Sequence, residues 1–237
     1  MASLANSRVL VVGGSSGIGL AVAEAAVAAG AAVTIASRSR PKLDEALKSL
    51  GPQARSAVLD TADGNALEAF LSANDPFDHI VVSAAQTPTG PVRKLALADA
   101  QQAMESKFWG AYRVARFARF TERGTLTLVS GFLSERPSAT SVLQGAINAA
   151  LEGLARGLAL ELSPVRVNTV SPGLIDTPLW SKMDQDAKGA MFAKVAANLP
   201  AKTIGKSTDI ANAVLFLMAT PFATGSNVRV DGGGAIA

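Results

Sequence analysis

The sequence predicts an α/β fold, a parallel sheet of seven strands with helices on both faces. Short apolar runs rich in Val, Ile and Leu alternate with longer Ala-rich stretches of helical period. That alternation is the pattern of strands buried on both sides and joined through helices. No charge block, Gly/Ser linker or internal repeat divides the 237 residues, so a single domain over 1–237 is predicted.

The strands are read at 8–14 (RVLVVGG), 31–37 (AAVTIAS), 55–60 (RSAVLD), 79–84 (HIVVSA), 124–130 (GTLTLVS), 165–171 (VRVNTVS) and 227–232 (NVRVDG). Helices are read near 17–29, 41–50, 63–73, 96–119, 142–162 and 208–219, the last with an N-cap region at Ser207-Thr208-Asp209. Residues 178–206 break the alternation with a helical stretch that carries Trp180, Met183, Met191, Phe192 and Val195. Following a strand, such an insertion reads either as a lid-like element over a ligand or as a packing helix or subunit contact.

Composition removes several classes of function. The net charge of +3 comes from 22 basic and 19 acidic residues scattered along the chain, so no nucleic-acid surface is predicted. There is no cysteine, which excludes disulfides and thiolate catalysis. No metal site is predicted. The opening MASLANSRVLVVGG lacks a basic n-region and a small-residue cleavage site, and its apolar run is too short to span a membrane. A cytoplasmic location is therefore expected.

The first strand runs into Gly13-Gly14-Ser15-Ser16-Gly17-Ile18-Gly19, and a helix follows at once. Glycines allow a tight turn and close backbone approach, and the helix N-terminus offers free N–H groups and a positive end to a pyrophosphate. With a strand before it and a second strand ending some twenty residues on, the turn has the context that dinucleotide binding requires. The fold class sharpens accordingly to a doubly wound, Rossmann-type dinucleotide-binding domain. At the end of the second strand stand Ser37 and Arg38 instead of an acid. An acid there would hold a ribose 2′-hydroxyl, whereas a guanidinium pairs with a 2′-phosphate. NADP(H) is thus predicted over NAD(H).

Together these residues resemble the short-chain dehydrogenase/reductase family, over essentially the whole chain. Gly13, Gly17 and Gly19 fit the family's TGxxxGIG pattern, with Val12 in place of its Thr. Asp60-Thr61 match the Asp that the family directs at the adenine amino group, and Ser83-Ala84-Ala85-Gln86 stand at its NNAG segment. Residues 166–177, RVNTVSPGLIDT, are close to RVNxVxPGxxxT. The resemblance therefore implies that Pro172, Gly173, Ile175 and Thr177 contact the nicotinamide end and the phosphates. Val230-Asp231-Gly232-Gly233 matches the usual C-terminal strand ending.

At the catalytic positions the resemblance implies a departure. Aligning AALEGL at 149–154 with the family's helix puts Gln144 on the tyrosine and Asn148 on the lysine of its YxxxK pair. Residues four apart share a helix face, so both point toward the same site. A neutral amide cannot perform the tyrosine's acid-base step. The family's asparagine in the preceding long helix corresponds to Lys107, read either as a relocated cation or as a surface ion pair. Its carbonyl-polarising serine falls on Ser130 or Gly131, of which only Ser130 carries a hydroxyl. Tyr112, the single tyrosine, reads as a packing aromatic, and His79, the single histidine, as structural.

Two functions follow. One is an NADPH-dependent reductase that transfers hydride to a small activated carbonyl or imine without a catalytic tyrosine, with Ser130, Gln144, Asn148 and Lys107 as the site. The other is a non-catalytic NADP(H)-binding sensor or structural subunit. The resemblance also implies a homo-oligomer, a tetramer or dimer, and Ala146, Ala149, Ala150, Gly153 and Gly157 would let two helices approach closely.

Overall fold

The computed structural model describes residues 4–237. Its sheet is built from β1 (Arg8–Val12), β2 (Ala32–Ser37), β3 (Arg55–Val58), β4 (Phe77–Val82), β5 (Phe120–Val129), β6 (Arg166–Pro172) and, last in the chain, a strand at Asn227–Val230. Two residue pairs outside this sheet, β7 (Ile175–Asp176) and β8 (Gly205–Lys206), form a separate parallel bridge, which makes the last strand β9. The seven strands lie in the order β3-β2-β1-β4-β5-β6-β9, every pairing parallel. The chain winds outward from β1 to β3 and returns to place β4 on the other side of β1. Between β1 and β4 the winding reverses, and a crevice opens there at the strand C-termini.

Successive side chains of a strand face opposite sides of the sheet. Val9, Val11, Val33 and Ile35 therefore pack on one side against α1 (Gly17–Ala28), α2 (Arg40–Leu50) and α8 (Ser207–Ala219). Leu10, Val12, Ile80, Leu126 and Leu128 pack on the other against α3 (Gly64–Ala73), α5 (Gly110–Phe117) and α6 (Val142–Glu161). Fully burying each such Val or Leu contributes roughly 1.5–3 kcal/mol.

The helix expected at 96–119 is divided. Helix α4 (Leu97–Met104) passes into a wider π turn at Glu105–Trp109 before α5 begins. Gly110 closes that turn against Thr61, where a Cβ would lie 2.7 Å from Thr61 Oγ1. Helix α5 ends at Phe117 because Ala118 is extended, and β5 consequently starts at Phe120, four residues before the expected 124. Helix α8 starts at Ser207, and Asp209 Oδ2 accepts the Lys206 N–H at 2.7 Å, so the expected cap region supplies the capping carboxylate three residues into the motif.

The segment after β7 holds a single helical turn at Pro178–Trp180 and α7 (Gln185–Asn198). The bridge of β7 to β8 ties its two ends together, with Ile175 opposite Gly205 and Asp176 opposite Lys206. Trp180 donates from Nε1 to Ile175 O at 3.0 Å and meets Phe192 edge-to-face, and Lys188 pairs with Asp176 at 2.7 Å. Among the described residues no helix is long and apolar enough to cross a membrane, and no group of three or more His, Asp or Glu could hold a metal ion.

Candidate active site

A cleft of about 1240 Å³ runs along the strand C-termini, and every candidate site residue read from the sequence lines it. At its base the glycine turn is packed against β4. Gly13 has φ +89°, and a Cβ there would lie 2.5 Å from Ala84 N; a Cβ on Gly19 would lie 2.2 Å from Gly13 O. Ser83 Oγ lies 3.3 and 3.4 Å from Val12 O and Gly13 O and shares its one proton between them, holding turn and strand together. Helix α1 then brings its N-terminus to the cleft, where Ser15, Ser16, Gly17 and Ile18 line it, with no side-chain cap and no acid in its first turn. Its positive end is left for an anion.

Ser37, Arg38 and Lys42 line the cleft beyond β2. Arg38 is exposed, and its Nη2 donates to Gln86 Oε1 at 2.9 Å, which holds the guanidinium across the cleft from β2. Lys42, on the first turn of α2, was not singled out in the sequence, although a further cation four residues past Arg38 is a usable signal. Asp60 and Thr61 continue this wall; Asp60 Oδ1 accepts the Ala62 N–H at 3.0 Å and thereby fixes its carboxylate. On the opposite side are Ala84 and Ala85 after β4, and Pro172, Gly173, Ile175 and Thr177 after β6.

The other end of the cleft is organised around Lys107, in the π turn. It is 6 % exposed, and its Nζ donates to Asn148 Oδ1 at 2.6 Å and to Ser130 O at 2.8 Å. A surface ion pair, one of the two readings of Lys107, is therefore replaced by a buried ammonium between two neutral oxygens. Burial disfavours the charged form and lowers its pKa to about 8, while the charge of Glu152 acts in the opposite direction. Such π turns often mark functional positions.

Ser130 does not present a free hydroxyl. Its Oγ donates to Glu152 Oε1 at 2.9 Å and lies 3.4 Å from Val170 O, so the proton expected to polarise a carbonyl is committed inside the protein. Gly131 lines the cleft beside Ser130, where a Cβ would come within 2.7 Å of Asn148 Nδ2. The expectation has Ser130 polarise the substrate; in this arrangement its one hydroxyl proton is directed at Glu152. Gln144 lies one turn before Asn148, and its Oε1 is buried without a hydrogen-bond partner.

Glu152 was missed in the sequence. It is 8 % exposed and also accepts from Ser134 Oγ at 2.7 Å. The signal was present, since positions 144, 148 and 152 follow one another at the four-residue spacing of a single helix face. His79 sits near the other end of its strand, 8 % exposed, with Nδ1 2.8 Å from Thr125 Oγ1, and takes no part in the cleft. Tyr112 is 39 % exposed and stacks edge-to-face on Trp109, also outside it.

With this geometry in place, residues 12–234 match the family model described as Enoyl-(Acyl carrier protein) reductase. The chain is 32 % identical to the short-chain dehydrogenase/reductase ucsE of Acremonium sp over 257 residues, covering 99 % of this chain and 97 % of that protein. The chain belongs to the short-chain dehydrogenase/reductase family. Among solved structures, a small-chain dehydrogenase in complex with NADPH is 33 % identical with a TM-score of 0.85, covering 98 % of this chain and 100 % of that one. The L-sorbose reductase of Gluconobacter frateurii, complexed with NADPH and L-sorbose, is 26 % identical with a TM-score of 0.89 over 99 % of this chain and 98 % of that one.

Proposed function

We propose that the chain is an NADPH-dependent reductase that transfers hydride to a small activated carbonyl or imine without a catalytic tyrosine. In the family register Gln144 takes the tyrosine position, Asn148 the lysine position and Lys107 the asparagine position. The observation that carries this reading is the bond from Lys107 Nζ to Asn148 Oδ1, at 2.6 Å within the cleft. A cation and an amide are both kept there, with their positions exchanged.

The cofactor half of the cleft fits NADP(H). The uncapped N-terminus of α1 receives the pyrophosphate, Arg38 and Lys42 the 2′-phosphate, and Asp60 the adenine amino group. The NADPH complexes of two family members of similar fold support this assignment. When bound, NADPH supplies the hydride. The protein's own residues then have to place the substrate and hold a proton. Positioning of reacting groups can contribute about 7–11 kcal/mol, whereas a general acid contributes about 10²- to 10⁴-fold in rate.

Lys107 is the proton donor in this reading. Two of its three N–H bonds are occupied by Asn148 and Ser130, which leaves one for a substrate oxygen or nitrogen. As hydride reaches a carbonyl carbon, the oxygen gains negative charge and takes the Nζ proton; solvent then recharges the amine. Gln144 Oε1 orients a polar substituent on the same face, and Asn148 holds the ribose side. The segment 178–206 serves as a lid: Leu179 and Trp180 line the cleft, and Val195 and Leu199 line an adjoining cavity of about 490 Å³. The chain works as a homo-oligomer through the small-residue face of α6.

The test is a screen of NADPH oxidation against activated ketones and cyclic imines, run beside calorimetric titration of NADPH. Turnover of at least one class is expected. Tight NADPH binding with no turnover of any would sink the reductase and leave a cofactor-binding protein without activity.

A further inference from the structure

Among the described residues the buried titratable residues are Lys107, Glu152 and His79, and the Asp231 carboxylate is also buried but is held by Arg229 and by the Gly233 and Ala235 N–H groups. Burial takes His79 down to about 4, so it is neutral near pH 7; with Asp231 matched by Arg229, Lys107 and Glu152 remain as the buried charges without a direct ion pair. A buried charge without a compensating one is strongly unfavourable. No direct ion pair joins the two; Ser130 does. Its main-chain oxygen accepts from Lys107 Nζ at 2.8 Å, and its hydroxyl donates to Glu152 Oε1 at 2.9 Å. Ser134 donates to that same oxygen at 2.7 Å. Two hydroxyls donating to one oxygen form a cradle suited to an acceptor-only carboxylate.

We propose that Glu152 is the counter-charge that keeps Lys107 cationic in the cleft, a positioning residue that acts through Ser130 and never touches the substrate. The inference rests on the reductase reading above, and it gives that reading a way of keeping a proton in a site that has no tyrosine.

The other charged groups around Lys107 are already paired or solvated. On its own turn Glu105 is held at 2.6 Å by Arg113 of α5. From α4, Asp99 is exposed, and from α6, Arg156 is exposed. Gln144 and Asn148, which share its face of the cleft, are neutral. Glu152 is thus the buried charge set against the desolvation of the ammonium.

The experiment titrates Lys107 directly in the full chain. Lysine labelled with ¹³C at Cε is followed by NMR across pH, with the Lys107 signal identified by its disappearance in Lys107→Met. Glu152→Gln keeps the side-chain shape and an oxygen for both serines but removes the charge. Its Lys107 midpoint should fall by about one pH unit or more, as expected for loss of an opposite charge nearby. The high-pH limb of kcat/KM for NADPH oxidation should move down by the same interval. Ser134→Ala, which leaves the carboxylate in place, should move the midpoint much less. If Glu152→Gln does not fold, Glu152→Met replaces it with the same expectation.

An unchanged Lys107 midpoint in a folded charge-free variant overturns the proposal, whatever the activity. A lowered midpoint in a protein that reduces nothing sustains the charge coupling and removes the reductase reading. Turnover with an unmoved midpoint does the reverse.

Discussion

Lys107 Nζ and Asn148 Oδ1 lie 2.6 Å apart, which ties the π turn between α4 and α5 to the middle of α6 inside the cleft. The contact fixes the rotamers of both side chains. With its oxygen on the ammonium, Asn148 turns its Nδ2 toward Gly131, where a larger residue would collide with it. A small residue at 131 and a cation at 107 thus belong to one arrangement.

Lys107→Met removes the ammonium while keeping an unbranched side chain of similar length. With Lys107 as the proton donor, kcat should fall about 10²- to 10⁴-fold with little change in the NADPH dissociation constant. The wild-type rate should be carried by the charged form, so it is present below about pH 8 and lost as pH rises through that value. Steady-state kinetics across pH check both points. A methionine variant with the wild-type kcat and the same high-pH limb would exclude Lys107 as the donor.

Arg38→Ala should weaken NADPH binding about 10- to 100-fold, the equivalent of losing charge-assisted hydrogen bonds worth about 1.5–3 kcal/mol. NADH affinity should change far less, because it lacks the 2′-phosphate. Arg38 is exposed and its Gln86 contact is a single hydrogen bond, so folding should be unaffected. Parallel titrations with the two nucleotides give the comparison; equal losses for both would mean that Arg38 does not read the phosphate.

The fold was legible because its signal is repeated. Each buried strand reads as a β-branched run, and the glycine turn carries both its flanking strand and its helix. Lys107 was legible only as a residue type. Its burial depends on the π turn, and nothing in SKFWGAY announces that turn. The direction of the Ser130 hydroxyl was not legible either, since it is decided by Glu152 on another element. The sequence does contain the 144, 148, 152 spacing, but a Glu within an Ala- and Leu-rich helix reads first as an exposed residue. Hydrogen bonds between distant segments are what a linear pattern cannot display.

Gly19→Ala should be severely disruptive. The added Cβ would sit 2.2 Å from Gly13 O and 2.5 Å from Ser83 Oγ, and the first of these is backbone that cannot swing away. Overpacking of this kind costs about 1–3 kcal/mol or more, and it would also displace the turn from its position beneath the cleft. A fall in Tm together with loss of NADPH binding is expected. A variant with wild-type Tm and affinity would show that the turn does not need its close approach to the first helix.

His79 gives the chain an acid sensitivity separate from its cleft. The imidazole is buried beneath the sheet's N-terminal side, with Nδ1 2.8 Å from Thr125 Oγ1, and desolvation lowers its pKa from 6.5 to about 4. Between those values the unfolded chain binds a proton that the folded chain does not. Stability is therefore complete above about pH 6.5 and declines as pH falls toward 4, with a limiting slope of about 1.4 kcal/mol per pH unit. His79 is the only histidine, so urea unfolding between pH 7 and about pH 5.5, above the ordinary carboxylate range, reads its contribution almost alone. His79→Leu should be less stable at pH 7, because Thr125 loses its partner, yet its stability should be nearly flat across that window. Equal slopes in the wild type and the variant would mean that the imidazole accepts its proton in the folded state as readily as in the unfolded one.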